Sequence, residues 1–519
     1  HQQLPWWVGY ASLLSTVLVA SLASLIFGLT GAAVAGLPML NAQGKSWYER
    51  ARRAYSLRVV LLLQMLVWPM VTFVVCSFWP LPLAFGSLAV RCFPPAIASL
   101  LVLALLRFAG ERRILQNRFS IWQLMKNTIV YHFALGHVLL FVAVIAMVAM
   151  PWEFNLRTLA IAGGTLLAIV FFSCGGSLLV LRGLGLLIPA DARLNNIVAD
   201  VARQLETPTP VTYIARIPSA NALAFPWNGK LAFTEGILQS LSDEQLGSVA
   251  AHEICHLGMP TSQKFTRLTH AMLLLVPLTL IKPVWGQFGT AAILPSLIGF
   301  LLIVFILQIF GRRLMQREEE RADRAGAEAN EAVYARALEQ IYRENLIPVS
   351  IKSPQGHPPL YDRMVSSGVT PDYEKPPTPP VWVRHAAMLA QLAVFFAFVL
   401  VLVIVFAVVQ VAMPETTDAR LAQLAIIGGP MRNVSVLGET YIGDGEEAIG
   451  LALLEYAKDE APHDVEVLAR LARVYAVTNR CDEARDLINQ PDTALCKSVS
   501  RRRGAEALSA AQEALLGCE

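Results

Sequence analysis

A chain of 519 residues is long enough for several domains, but 55% of it is hydrophobic and only 16% is charged, with a mean hydropathy of +0.50. That composition excludes an ordinary soluble protein. The formal charge of +3 is small and unevenly placed, giving no footing for nucleic acid, and seven cysteines split between apolar runs and tail exclude a disulfide framework for the whole chain.

A membrane-spanning helix takes roughly 20 mostly apolar residues. Runs of that kind occur at residues 8–35, 59–79, 93–108, 129–150, 158–181, 290–310 and 386–413. A shorter run at 268–285 is interrupted by Pro277 and Pro283. The expectation is about eight transmembrane helices, five of them in an N-terminal membrane region (1–181), two at 268–310 and the last at 386–413. The first run lacks a basic flank and is too long for a signal peptide. Lys45, Arg50, Arg52, Arg53 and Arg58 follow the first span, and Arg107, Arg112, Arg113, Arg118 and Lys126 border the loop after the third. The alternate loops carry little more than Arg91, Arg157 and Lys282. Basic loops stay in the cytoplasm, so both termini are expected outside, and residues 182–267 and 311–385 both face the cytoplasm. His132 and His137 lie five apart, a poor spacing for a metal pair on one helix face. The glycine pairs 163–164 and 175–176 suit close approach of helices.

Residues 182–267 read as a small α+β unit. "ADARLNNIVADVARQLETP" has helical periodicity, and "PVTYIARIP" is strand-like. "NALAFPWNGKLAFTEGILQSL" holds the hairpin signal Asn228-Gly229 between two short apolar stretches. Ser242 followed by Gln245 forms a capping box that opens a helix over "DEQLGSVAAHEICHL". Its His252 and His256, at i and i+4, share a face and can converge on one metal ion. Glu253, about 100° further round, is placed to act as general base.

A catalytic site of this kind takes a third protein ligand. A downstream histidine in HExxHxxGxxH spacing is ruled out, because Met259 and Ser262 occupy the glycine and histidine positions. The alternative is a glutamate from "RRLMQREEERADRAGAEA", where Glu318, Glu319 and Glu320 are all available. Spacing does not choose among them. Asp323, on the same run, is suited to hold a ligand histidine from behind.

These motifs resemble the membrane-integrated zinc metalloproteases that include the bacterial HtpX-type heat-shock protease and the eukaryotic CAAX prenyl endopeptidase. "NALA" (221–224) followed by residues 231–256 is similar to the family's Asn-Ala-Phe-Ala segment and the strand, turn and helix after it. "EERAD" matches the family's Glu-x-x-Ala-Asp motif, which implies Glu319 as ligand and Asp323 as its partner. "HPPLYDRM" (357–364) resembles the His-Pro…Arg motif. By that likeness His357 stabilises the transition state and Arg363 holds the site together. The resemblance further implies one Zn2+ per chain on His252, His256 and Glu319, with Glu253 as base. Asn221, Ala222, Leu223 and Ala224 would form an edge strand that pairs with an extended protein or peptide substrate. Leu223 departs from the family's phenylalanine.

The tail (414–519) alternates amphipathic helices, and Glu447-Ala448 recurs as Glu483-Ala484, near the period of tetratricopeptide repeats. It resembles a degenerate repeat pair, a surface for binding a protein partner. Outside the cytoplasm, Cys481 and Cys496 can bridge and leave Cys518 free.

The expected fold is therefore mainly α: a polytopic protein of the lipid bilayer with a small cytoplasmic α+β gluzincin-type metalloprotease domain and an α-helical, repeat-like tail. The expected function is zinc-dependent cleavage of membrane or membrane-associated proteins, in a bacterial inner membrane by resemblance. The alternatives are a CAAX-type protease of prenylated peptides and an idle scaffold that binds proteins through its tail.

Overall fold

The computed structural model describes the chain except for residues 1–5, 43, 79–87, 114–118, 152–153, 289–291, 352–357, 412–415, 428–430, 463, 490–501 and 517–519. Long apolar helices dominate it. Tyr10–Asn41, Trp47–Cys76, Cys92–Arg112 and Leu156–Gly183 are each long and apolar enough to cross a membrane. Two helix pairs qualify when taken together: Ile121–Ala134 with Val138–Ala149, bent by 78°, and Thr261–Thr279 with Ile281–Phe288, bent by 45°. The described residues thus hold four to six candidate spans by length and composition. Two shorter apolar stretches, Leu294–Leu307 and Trp382–Phe398, lie within the helices Ile293–Ala327 and Val381–Val411.

The bends have local causes. The run at 129–150, expected as one span, is split where Gly136 adopts a φ of +74°, a left-handed conformation that ends a helix. The first half of that pair opens with a capping box, Ser120 with Gln123. In the second pair the break at Leu280 precedes Pro283, which has no N–H to continue the ladder.

The described residues form two units. One comprises Gly28–Met65 and Leu103–Gln391. It contains a four-stranded mixed sheet in the order β1-β2-β4-β3, with β1 at Leu187–Pro189, β2 at Val211–Ala215, β3 at Ala222–Phe225 and β4 at Lys230–Thr234. β2 and β4 run parallel, and the other neighbours are antiparallel. β1 is an addition to the elements expected. The β3–β4 connection occupies residues 226–229, where Asn228 N–H donates to Phe225 C=O at 3.0 Å and Gly229 takes a φ of +60°.

Alternation along the strands gives the sheet two different faces. On one, Ala222, Leu231 and Phe233 are buried with Leu246, Val249, Ala250 and Ile254 of the helix Asp243–Leu257 and with Val198 and Ala202 of the helix Ala192–Gln204. On the other, Phe225, Ala232 and Tyr213, with Leu223 half-buried beside them, meet Val130, Leu178 and Leu181. Those three belong to the helices Ile121–Ala134 and Ser177–Gly183, at the ends of candidate spans.

The other unit comprises His1–Phe27, Leu66–Val102 and Leu392–Glu519. Within it a buried hydroxyl chain ties three apolar helices: Trp68 Nε1 donates to Ser24 Oγ at 2.7 Å, and Ser24 Oγ lies 2.6 Å from Ser99 Oγ. Its tail is a run of helices, Thr417–Ile427, Met431–Gly443, Glu447–Glu460, Val465–Val477, Cys481–Ile488 and Arg502–Leu516. They bury Leu421, Leu437, Leu453 and Val467 in one cluster and Leu468, Leu471, Tyr475 and Ala484 in another. Cys481 is disulfide-bonded, while Cys76, Cys92, Cys174 and Cys255 are free; Cys496 and Cys518 lie outside the described residues.

Candidate metal centre

The helix Asp243–Leu257 opens on the expected capping box: Ser242 Oγ accepts from the Gln245 N–H, and Gln245 Oε1 accepts from the Ser242 N–H. The cap satisfies two otherwise orphaned N–H groups and sets the helix phase. Val249, Ala250 and Ile254 then point into the core, while His252, Glu253 and His256 are half-buried. His252 Nε2 and His256 Nε2 are 3.2 Å apart.

The helix Ile293–Ala327 brings its glutamate run to this pair, and burial sorts the three carboxylates. Glu318 is buried and bonds to Arg321, whose guanidinium also donates to the Cys255 carbonyl. Glu320 is exposed and accepts from the Gln316 side chain. Glu319 Oε2 stands 3.7 Å from His252 Nε2 and 3.5 Å from His256 Nε2. Among the described residues, His252, His256 and Glu319 are the group able to hold a metal ion. Ligand atoms on a tetrahedral ion with bonds of about 2.0–2.2 Å stand about 3.3–3.6 Å apart. The observed separations of 3.2, 3.5 and 3.7 Å lie close to that spacing. Without a metal, burial opposes the His256 imidazolium. The hydrogen bond it donates to Glu319 and the charges of Glu253 and Glu319 outweigh burial, and the pKa is raised above the usual histidine value.

Behind His252 lies a residue that sequence reasoning missed. Tyr334, in the first turn of the helix Glu331–Glu344, has its hydroxyl 2.8 Å from His252 Nδ1 and donates to Asp323 Oδ1 at 2.8 Å. Asp323 Oδ1 is itself 3.3 Å from His252 Nδ1 and receives Arg363 Nη2 at 2.6 Å. Burial drives the Tyr334 phenol well above its usual pKa, and the adjacent Asp323 carboxylate adds to this, so it remains a donor. With the Tyr334 proton committed to Asp323, the bond to His252 is made by Nδ1–H. That fixes the tautomer which leaves Nε2 free to ligate. Asp323 and Arg363 thus both stand behind His252; His357 lies outside the described residues.

Asn221 to Ala224 lead into and form β3, the edge strand. Asn221 bonds to β4 at both backbone groups, its N–H to Thr234 Oγ1 at 2.9 Å and its C=O from Thr234 N–H at 3.0 Å. The antiparallel alternation then turns the N–H and C=O of Ala222 and Ala224 away from β4, toward the open edge. Both ends of this hairpin are fixed. Before it, Ser219 Oγ donates to Asn127 Oδ1 at 2.7 Å and lies 3.1 Å from Tyr131 Oη. At its tip, Asn228 enters a break in the helix spanning Leu156–Gly183, at Gly175, whose φ is +104°. A Cβ on Gly175 would lie 1.6 Å from Asn228 Oδ1. The helix approach expected at both glycine pairs is not what the structure has: Gly175 is met by the hairpin turn, and among the described residues nothing lies within 4 Å of a Cβ at Gly163 or Gly164.

His132 and His137 are not brought to the metal group. Their rings meet edge to face at 5.4 Å, and His132 Nδ1 lies 2.7 Å from the Thr128 carbonyl.

Residues 189–366 match the model of Peptidase family M48. The chain is 31% identical over 145 residues to the "Protease HtpX homolog" of Persephonella marina, covering 26% of this chain and 50% of the relative. It is 28% identical over 177 residues to the "Protease HtpX homolog" of Caldanaerobacter subterraneus, covering 30% and 59%. It is 31% identical over 127 residues to that of Methanothermobacter thermautotrophicus, covering 22% and 47%. The chain therefore spans about half the length of these curated relatives. No solved structure matches it significantly.

Proposed function

We propose that the chain is a membrane-integrated zinc endopeptidase of the Peptidase M48 type, whose model residues 189–366 match, and that it hydrolyses membrane or membrane-associated proteins in quality control or processing. The observation that carries this reading is the convergence of His252, His256 and Glu319, with Glu253 on the same helix. Two imidazole nitrogens and one carboxylate oxygen at tetrahedral spacing suit Zn2+ and leave a fourth position open. When bound, the ion would supply Lewis acidity and lower the pKa of a water to about 7.

The chain's residues do the rest. Glu253 accepts the proton of the attacking water and returns it to the leaving amine. Tyr334 and Asp323 hold His252 in its ligating tautomer, and the Arg363 guanidinium balances the Asp323 charge. The outward backbone groups of Ala222 and Ala224 pair with an extended substrate, fixing its main chain with little demand on side chains. His357 is assigned the donor to the developing oxyanion. The basic loops set the site on the cytoplasmic face with the termini outside, and span count and domain limits follow the sequence reading: eight spans, the protease in 182–267 and 311–385. The tail, a repeat-like helical array from 414, is assigned to binding a protein partner.

The test is metal analysis of the purified chain together with casein cleavage, with and without chelator. One zinc per chain and chelator-sensitive cleavage support the reading. A chain with neither is a scaffold.

A further inference from the structure

We infer that Asn345 is a register stop for the substrate strand, a positioning and specificity-determining residue that closes the edge of β3 at Ala220. This rests on the reading of β3 as the substrate-pairing edge.

Asn345 caps the C-terminus of the helix Glu331–Glu344. The cap needs only backbone: Ile347 N–H donates to Tyr342 C=O at 2.8 Å and Leu346 N–H to Arg343 C=O at 3.2 Å, with Leu346 at a φ of +47°. Arg58, from the helix Trp47–Phe78, donates to the Asn345 carbonyl and, at 3.4 Å, to that of Leu346. The side chain has no share in this. Instead its amide grips one residue from both sides: Ala220 N–H donates to Asn345 Oδ1 at 3.2 Å, and Asn345 Nδ2 donates to Ala220 C=O at 2.6 Å.

That pair of bonds copies what a neighbouring strand makes. Asn221 faces β4, so the groups of Ala220 continue the outward series of Ala222 and Ala224. The Asn345 amide therefore sits where the next residue pair of a docked peptide would sit, and pairing is confined to Ala222 and Ala224. The stop is also indexed to the metal, because the same helix holds Tyr334 against His252 at its other end. A peptide shifted along β3 must move by two residues to keep its faces, and Asn345 removes the shift toward Ala220.

The test uses the full-length zinc-loaded protein, a long unstructured casein-derived peptide, and mass spectrometry of its products. Asn345→Ala should retain zinc and turnover and add a second product series offset by two residues. Asn345→Asp, which keeps the acceptor for the Ala220 N–H and loses the donor, should add the same series more weakly, and it serves if the alanine variant does not fold. An unchanged product series, or loss of zinc, overturns the inference. Ala224→Pro serves as the control on the underlying reading, because proline is tolerated where an edge N–H faces outward. It should raise KM about tenfold, as expected for one lost backbone bond. If it does so while Asn345→Ala leaves the products unchanged, the register stop fails and the edge strand stands. If Ala224→Pro leaves KM unchanged, both fail.

Discussion

The Tyr334 hydroxyl lies 2.8 Å from Nδ1 of His252, on the side of the ring away from Glu319. It joins a ligand histidine to Asp323 and Arg363, so three side chains from three helices settle one imidazole. Tyr334→Phe removes the hydroxyl and keeps the ring. Metal affinity or activity should fall about 10–100-fold, as for other partners that orient a ligand. Chelator competition and steady-state kinetics would measure it; an unchanged zinc affinity and kcat/KM would mean that Asp323 alone orients the ring.

Glu253 and Glu319 should separate base from ligand. Glu253→Gln should hold its zinc and lose kcat by about 10²–10⁴-fold, the usual range for a general base. Glu319→Ala should lose the zinc itself. Metal analysis beside cleavage assays distinguishes them, and a Glu253→Gln protein that still cuts would remove the assignment.

Zinc affinity should fall as the medium is acidified, and the fall should begin above the ordinary histidine range. The reason is the raised pKa of His256 in the metal-free site, where Glu319 and Glu253 favour the imidazolium over the opposing effect of burial. Protons and metal compete for Nε2, so a raised pKa moves the competition to higher pH. The same sign applies to metal-free stability: the protonated form contributes below the unfolded pKa, and the contribution is lost as pH rises through the folded one. Calorimetric zinc titrations at several pH values would show the trend, and a flat profile between pH 6 and 8 (about half a unit below the unperturbed histidine pKa of ~6.5 to well above it) would contradict it.

Gly175→Ala should destabilise the protein in detergent by about 1–2 kcal/mol from the left-handed backbone alone, with the contact to Asn228 added. Combining it with Asn228→Gly should recover the contact and leave the backbone strain. Thermal aggregation midpoints of the single and double variants separate the two costs.

The metal helix was legible in the sequence because its signals are local: a capping box, an i, i+4 histidine pair and a glutamate between them. The third ligand was narrowed to three glutamates by composition, and only the family resemblance pointed to Glu319. The physical distinction is tertiary, since Glu318 turns into a buried pair with Arg321 and Glu320 faces outward. Tyr334 was hidden, because an aromatic on an amphipathic helix reads as core. β1 is three residues long, too short to signal a strand. The bend at 135–137 did carry a sign, Gly136, within a run whose hydropathy argued for continuity.

The apolar underside of the sheet has a consequence for anyone who would study the catalytic part alone. Leu223, Phe225 and Tyr213 are covered by Val130, Leu178 and Leu181, residues that lie outside the 189–366 segment matching Peptidase family M48. The sheet beneath the metal group therefore has no water-facing floor of its own. Trimmed to its recognisable motif, that segment would expose an oily surface and clump, so the helices at the ends of the candidate spans form part of the sheet's foundation.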